Sequence, residues 1–136
     1  TIGVLGLTFK PNTDDMRDAA SLVILPELIK QGATIRTFDP QGMREAKHLL
    51  PQTEITWCDN TYATMSDADA LVILTEWNEF KNLELEKVRT ALDAPVMIDL
   101  RNIYKLDDMQ KSGFHYVSIG RSDVMPAKQP KAVAAQ

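Results

Sequence analysis

The chain has 136 residues, 44% of them hydrophobic and 25% charged, with a formal net charge of −4. That length suits one domain, and the composition suits a globular one. The acidic balance argues against a broad nucleic-acid or anionic-membrane surface, and no apolar run reaches the ~18–20 residues that cross a bilayer.

The first strand is expected at Ile2–Gly6. Ala20–Gln31 then repeats apolar residues at helical spacing and ends at Gly32, a C-cap residue. Thr34–Phe38 reads as a strand closed by Asp39-Pro40. Gly42–Leu50 reads as a helix with Met43, Ala46, Leu49 and Leu50 on one side. Glu54–Trp57 is a weak, edge-like strand, and Asn60–Met65 a helical turn or two. Asp69–Thr75, "DALVILT", is continuously apolar, as a strand buried on both faces is. Leu83–Leu92 follows as a helix, and Pro95–Leu100 as a second buried strand. Asp107–Lys111 is a short helix stopped by Gly113, and His115–Ile119 the last strand.

Alternating strands and helices imply right-handed βαβ units, hence an α/β, Rossmann-like, doubly wound and mostly parallel sheet of six strands with helices on both faces. Residues 1–121 form the domain, and the Pro/Ala/Lys-rich tail within 122–136 is expected to be disordered. Strand-like sequence begins at once, on a residue other than Met, so the chain reads as the C-terminal piece of a longer protein.

In open α/β sheets, ligands sit beyond the carboxyl ends of the strands. The loop after the first strand has Gly3 and Gly6 but lacks the third glycine of a G-x-G-x-x-G dinucleotide fingerprint. It carries instead Phe9-Lys10-Pro11-Asn12-Thr13-Asp14-Asp15-Met16-Arg17. Lys10 and Arg17 are cations that suit a phosphate, and Phe9 suits the flat side of a base or sugar. Asp14 and Asp15 suit holding those cations or capping the next helix. The alternative is a solvated charged loop with Asx turns.

Arg101, in "IDLRN", follows a buried strand and emerges on the same edge as Lys10, although arginines after strands are also common surface residues. Asp39 stands where a dinucleotide fold places its ribose-binding acid, but the following Pro40 favours a turn former. Trp77 reads as packing beneath a loop. His48 and His115 lack a metal-ligand pattern, so no metal is expected. Cys58, the single cysteine, has no activating neighbour and reads as structural; a lone thiol also agrees with a reducing, cytoplasmic setting.

Three stretches, "GLTFKPNTDDMRDAASLVILPELIKQGATIRTFDP", "ADALVILTEWNEF" and "MIDLRNIY", resemble in order the C-terminal UDP-binding domain of the UDP-glucose/GDP-mannose dehydrogenase family. The Pro11-Asn12 pair and "LTEW" lean toward its UDP-glucose branch. The resemblance implies part of an enzyme that oxidises the C6 hydroxyl of a UDP-sugar to a carboxylate in two NAD-dependent steps, as a homodimer. It implies that Phe9, Lys10, Pro11, Asn12 and Thr13 contact the UDP-sugar, that Arg101 binds the UDP end, and that Arg17 reaches the NAD. NAD would be bound mainly by an N-terminal domain, and the catalytic cysteine lies in a motif this chain lacks, so the chain by itself is expected to be inactive. The competing readings are a freestanding nucleotide-binding or regulatory module and an interaction domain with no ligand.

Overall fold

The computed structural model describes residues 1–51 and 53–126. Strands β1 (Ile2–Leu5), β2 (Ile35–Phe38), β3 (Ile55–Trp57), β4 (Ala70–Ile73), β5 (Val96–Asp99) and β6 (His115–Ser118) form one sheet, ordered β3-β2-β1-β4-β5-β6. Every neighbouring pair is parallel. The order reverses between β1 and β4, which makes the gap between their carboxyl ends the topological switch point.

Helices α1 (Ser21–Lys30) and α2 (Met43–Leu49) cover one face, where Leu25 and Ala46 pack with Val4, Ile35 and Val72. The other face is covered by α3 (Asn78–Lys81), α4 (Leu85–Ala91) and α5 (Leu106–Lys111), through Phe80, Val88 and Met109 against Leu5, Ile73 and Met97. Because successive strand residues point to opposite faces, Val4 and Leu5 serve different cores. No helix among the described residues is long and apolar enough to cross a membrane.

Two details depart from the sequence reading. The residues "NEFK" form their own short helix, α3, so Leu83–Leu92 shortens to Leu85–Ala91. Phe80 drives this turn, since it is fully buried and needs a scaffold to reach the core. Strand β4 is buried throughout, but along β5 only Met97 and Asp99 are; Val96 and Ile98 are half-buried. Ile98 nonetheless packs against the core beneath α1 and α2.

Beyond Arg121 the chain stays on the sheet, for Val124 and Tyr116 exchange backbone hydrogen bonds of 2.8 and 2.9 Å in an antiparallel bridge. The remainder of the tail expected to be disordered, 127–136, lies outside the described residues.

The two glycines of the first βα unit are needed for packing. A Cβ on Gly3 would sit 2.6 Å from the Thr64 carbonyl oxygen, in the 3₁₀ turn Tyr62–Met65. Gly6 has φ +91°, and a Cβ there would lie 2.6 Å from Thr75 Cβ. Gly6→Ala should therefore destabilise the domain by about 2–4 kcal/mol, from left-handed strain and overpacking together. A urea midpoint within error of the parent's, at unchanged m, would contradict this.

Candidate functional site

The carboxyl ends of β1, β4 and β5 meet around a concavity of about 150 Å³ lined by Thr8, Phe9, Asp18, Ser21, Thr75 and Arg101, among others. Sequence reasoning named Phe9 and Arg101, and the fold brings them together. It missed the hydroxyl residues Thr8, Ser21 and Thr75, whose signal was only their position just past apolar strands or at a helix start.

Asp39 builds the near wall of this site. It is 1% exposed. Its Oδ2 accepts from the Leu7 and Thr8 amides at 2.7 and 3.1 Å, and lies 3.1 Å from the Thr8 hydroxyl and 3.3 Å from Trp77 Nε1. Oδ1 accepts from the Gln41 and Gly42 amides at 2.9 and 2.7 Å. The bonds to Gln41 and Gly42 are those of the turn former expected from Asp39-Pro40. The three from Leu7 and Thr8 tie the loop after β1 to the end of β2, and the Trp77 indole adds the segment past β4. Trp77 is buried beneath that loop, as its sequence context suggested.

The loop then closes on itself. The Phe9 amide donates to the Asp15 carbonyl at 2.9 Å, while Thr75 Oγ1 and Ser21 Oγ donate to the carbonyls of Thr8 and Leu7. Phe9 is left 50% exposed at the concavity. Asn12 and Asp18 within the loop, and Asn102 beside Arg101, have φ of 64°, 57° and 55°. All three are Asn or Asp, the types that after glycine adopt this backbone most readily in turns.

Arg17 lies elsewhere. Its side chain is 90% exposed and pairs with Asp15, whose Oδ1 also accepts from the Arg17 amide. The Arg17 hydrogen bond holds the Asp15 carboxyl below its usual range. Of the two functions considered for Asp14 and Asp15, holding a cation is therefore realised by Asp15; α1 has no side-chain cap. Both acids and Arg17 line a separate open groove of about 640 Å³ with Leu22, Glu45 and Leu49. Lys10 is exposed and is not among the residues lining the smaller concavity.

A second buried carboxylate sets the opposite wall. Asp99, at the end of β5, accepts from the amides of Arg101, Ile103 and Tyr104 at 3.0, 2.8 and 3.2 Å, and from the Tyr116 hydroxyl. Arg121 Nη2 donates to that hydroxyl at 2.7 Å, and Nη1 to the Tyr104 carbonyl at 3.0 Å. Burial first, then the bond to Asp99, pushes the Tyr116 hydroxyl far above its ordinary value, and burial lifts Tyr104 to about 12. Cys58 is buried with its thiol 3.8 Å from the Thr56 carbonyl, and burial raises its pKa, which fits an inert thiol.

A sequence profile described as "UDP-glucose/GDP-mannose dehydrogenase family, UDP binding domain" matches residues 3–106. The chain belongs to this family. It is 46% identical over 122 residues to a UDP-glucose 6-dehydrogenase of Rhizobium meliloti, covering 90% of this chain and 28% of that protein. It is 48% identical over 124 residues to UDP-glucose 6-dehydrogenase TuaD of Bacillus subtilis, covering 91% and 27%. The chain thus spans little more than a quarter of these relatives. Among solved structures, a UDP-D-ManNAc dehydrogenase from Pyrococcus horikoshii superposes with a TM-score of 0.70 at 30% identity, over 88% of this chain and 25% of that one. A UDP-glucose dehydrogenase from Pyrobaculum islandicum gives 0.68 at 27% identity, over 93% and 25%.

In this family member the first βα unit does not fit a dinucleotide. Gly3 lies within β1 against the Thr64 carbonyl and Gly6 against Thr75, so both serve packing; the loop lacks the third glycine, and both oxygens of Asp39 are taken by protein donors. Asp39→Ala should leave the amides of Leu7, Thr8, Gln41 and Gly42 without their acceptor and cost about 3–5 kcal/mol, read by chemical denaturation. A loss below about 1 kcal/mol would show that water replaces the carboxylate. The two tyrosines set an alkaline limit. Their folded pKa values are raised above the ordinary 10, so their contribution is fully present below pH 10 and is lost as pH rises through the folded values, about 12 for Tyr104. Unfolding free energy should fall above pH 10 by up to about 1.4 kcal/mol per pH unit per tyrosine. Tyr104→Phe and Tyr116→Phe should each flatten that slope, measured by denaturant midpoints from pH 9 to 12.

Proposed function

We propose that this chain is the nucleotide-sugar-binding part of an NAD-dependent UDP-glucose 6-dehydrogenase, a longer enzyme that converts UDP-glucose to UDP-glucuronate. The observation that carries the reading is the placement of Phe9 and Arg101 on one concavity at the switch point of a parallel sheet, where nucleotides bind. A half-exposed ring next to a guanidinium offers a flat apolar surface for a base or sugar and a charged donor for phosphate. Lys10, next to Phe9 in a loop closed by its own hydrogen bonds, adds a second cation for the diphosphate; Pro11, Asn12 and Thr13 shape the turn that presents it.

NAD binds outside this chain, whose first βα loop lacks the third glycine of a pyrophosphate cradle. Arg17, on an exposed rim apart from the concavity, contributes its charge toward NAD held by the remainder of the enzyme. The chain contributes binding and orientation of the nucleotide, and by itself performs no oxidation.

Calorimetric titration with UDP tests the assignment. Charge-assisted hydrogen bonds contribute ~1.5–3 kcal/mol each, so Lys10→Ala and Arg101→Ala should each weaken UDP roughly 10- to 150-fold. Arg17→Ala should leave UDP affinity nearly unchanged. Equal small effects from all three would favour a solvated loop, and a large loss only for Arg17→Ala would move the diphosphate to the larger groove.

A further inference from the structure

Arg101 is already held by a neighbour that sequence reasoning did not single out. Glu76, just past β4, accepts from Arg101 Nε and Nη2 at 3.1 and 2.8 Å, both on the same oxygen, Oε2. The two side chains are 41% and 28% exposed, the setting in which an ion pair adds little to folding. The other Glu76 oxygen, Oε1, is buried and has no hydrogen-bond partner. An ion pair selected for stability would form the two-pronged arrangement with one N–H on each oxygen, leaving neither unsatisfied. Here the Nε–Nη2 edge of the guanidinium is spent on one oxygen, and among the described residues Nη1 makes no hydrogen bond.

We infer that Glu76 is a positioning residue. It grips Arg101 by one edge and leaves the Nη1 edge for a phosphate oxygen of the nucleotide. The inference rests on the nucleotide reading above and adds what makes Arg101 competent: an arginine with four rotatable bonds at a sheet edge would otherwise have to be ordered each time ligand binds. Both donors need only a single acceptor oxygen, so an amide oxygen at the same place can hold the same edge of the guanidinium, without the charge assistance of a carboxylate. It would also remove the repulsion that a carboxylate exerts on a nearby phosphate.

The experiment is calorimetric titration of UDP and of uridine into the chain and its Glu76→Ala, Glu76→Gln, Arg101→Ala and Glu76→Ala/Arg101→Ala variants, with thermal melting to establish folding. Glu76→Ala should weaken UDP about two- to tenfold, the cost of ordering one long side chain on binding. Glu76→Gln should restore UDP binding to within about twofold of the parent, or tighten it. In the Arg101→Ala background, Glu76→Ala should cause no further loss of UDP affinity, and uridine affinity should be untouched by either Glu76 change. A stable Glu76→Ala variant that binds UDP as well as the parent, or a Gln variant as weak as the Ala one, overturns the inference while an Arg101→Ala loss leaves the nucleotide reading standing. A parent chain that binds no UDP overturns both.

Discussion

The carboxylate of Asp39 joins pieces of chain that the sequence keeps far apart. One oxygen collects the amides of Leu7 and Thr8 and the indole of Trp77, and the other collects the amides that open the path into α2. Buried amides of a loop leaving a parallel strand have no ladder partner, so each needs an acceptor or costs the full desolvation of a donor. Placing that acceptor at the end of the neighbouring strand fixes the first residues of the β1 loop in relation to the sheet. Phe9 then projects from a rigid base, although the residues after it are exposed.

Asp99 performs the same operation for the β5 loop, with the amides of Arg101, Ile103 and Tyr104 as its donors. The site is thus framed by two buried carboxylates, neither of which lines the concavity. Both walls end on strands that hydrogen-bond into one parallel sheet, so their separation is set by the strand spacing of β1, β4 and β5. Precision in the exposed residues comes from polar groups that a ligand never touches.

This arrangement also explains how a Rossmann-like fold comes to lack a dinucleotide cradle. The same positions that would serve a pyrophosphate and a ribose are present in outline, as Gly3, Gly6 and Asp39. Thr64 and Thr75 pack directly against the glycines, and protein donors saturate the acid. The open part of the edge shifts toward Arg101 and the half-exposed Phe9, above buried hydroxyls already bonded to loop carbonyls.

The sequence by itself determined the sheet. Apolar runs of four or five residues alternating with helical periodicity admit few topologies besides the parallel one, because each crossover must be right-handed and bury its helix. It also marked Phe9, Lys10, Arg17 and Arg101 as candidates to meet a base, sugar or phosphate, with a solvated loop as the alternative. Only the tertiary structure decided that Arg17 stands apart from Phe9 and Arg101, that Asp39 serves the loop and not a ligand, and that Glu76 holds Arg101. For Asp39 and Glu76 the physical reason is the same. Strand and helix formation follow from local periodicity, whereas the partner of a buried carboxylate or an exposed guanidinium is chosen among residues tens of positions away, brought near only once the sheet has formed.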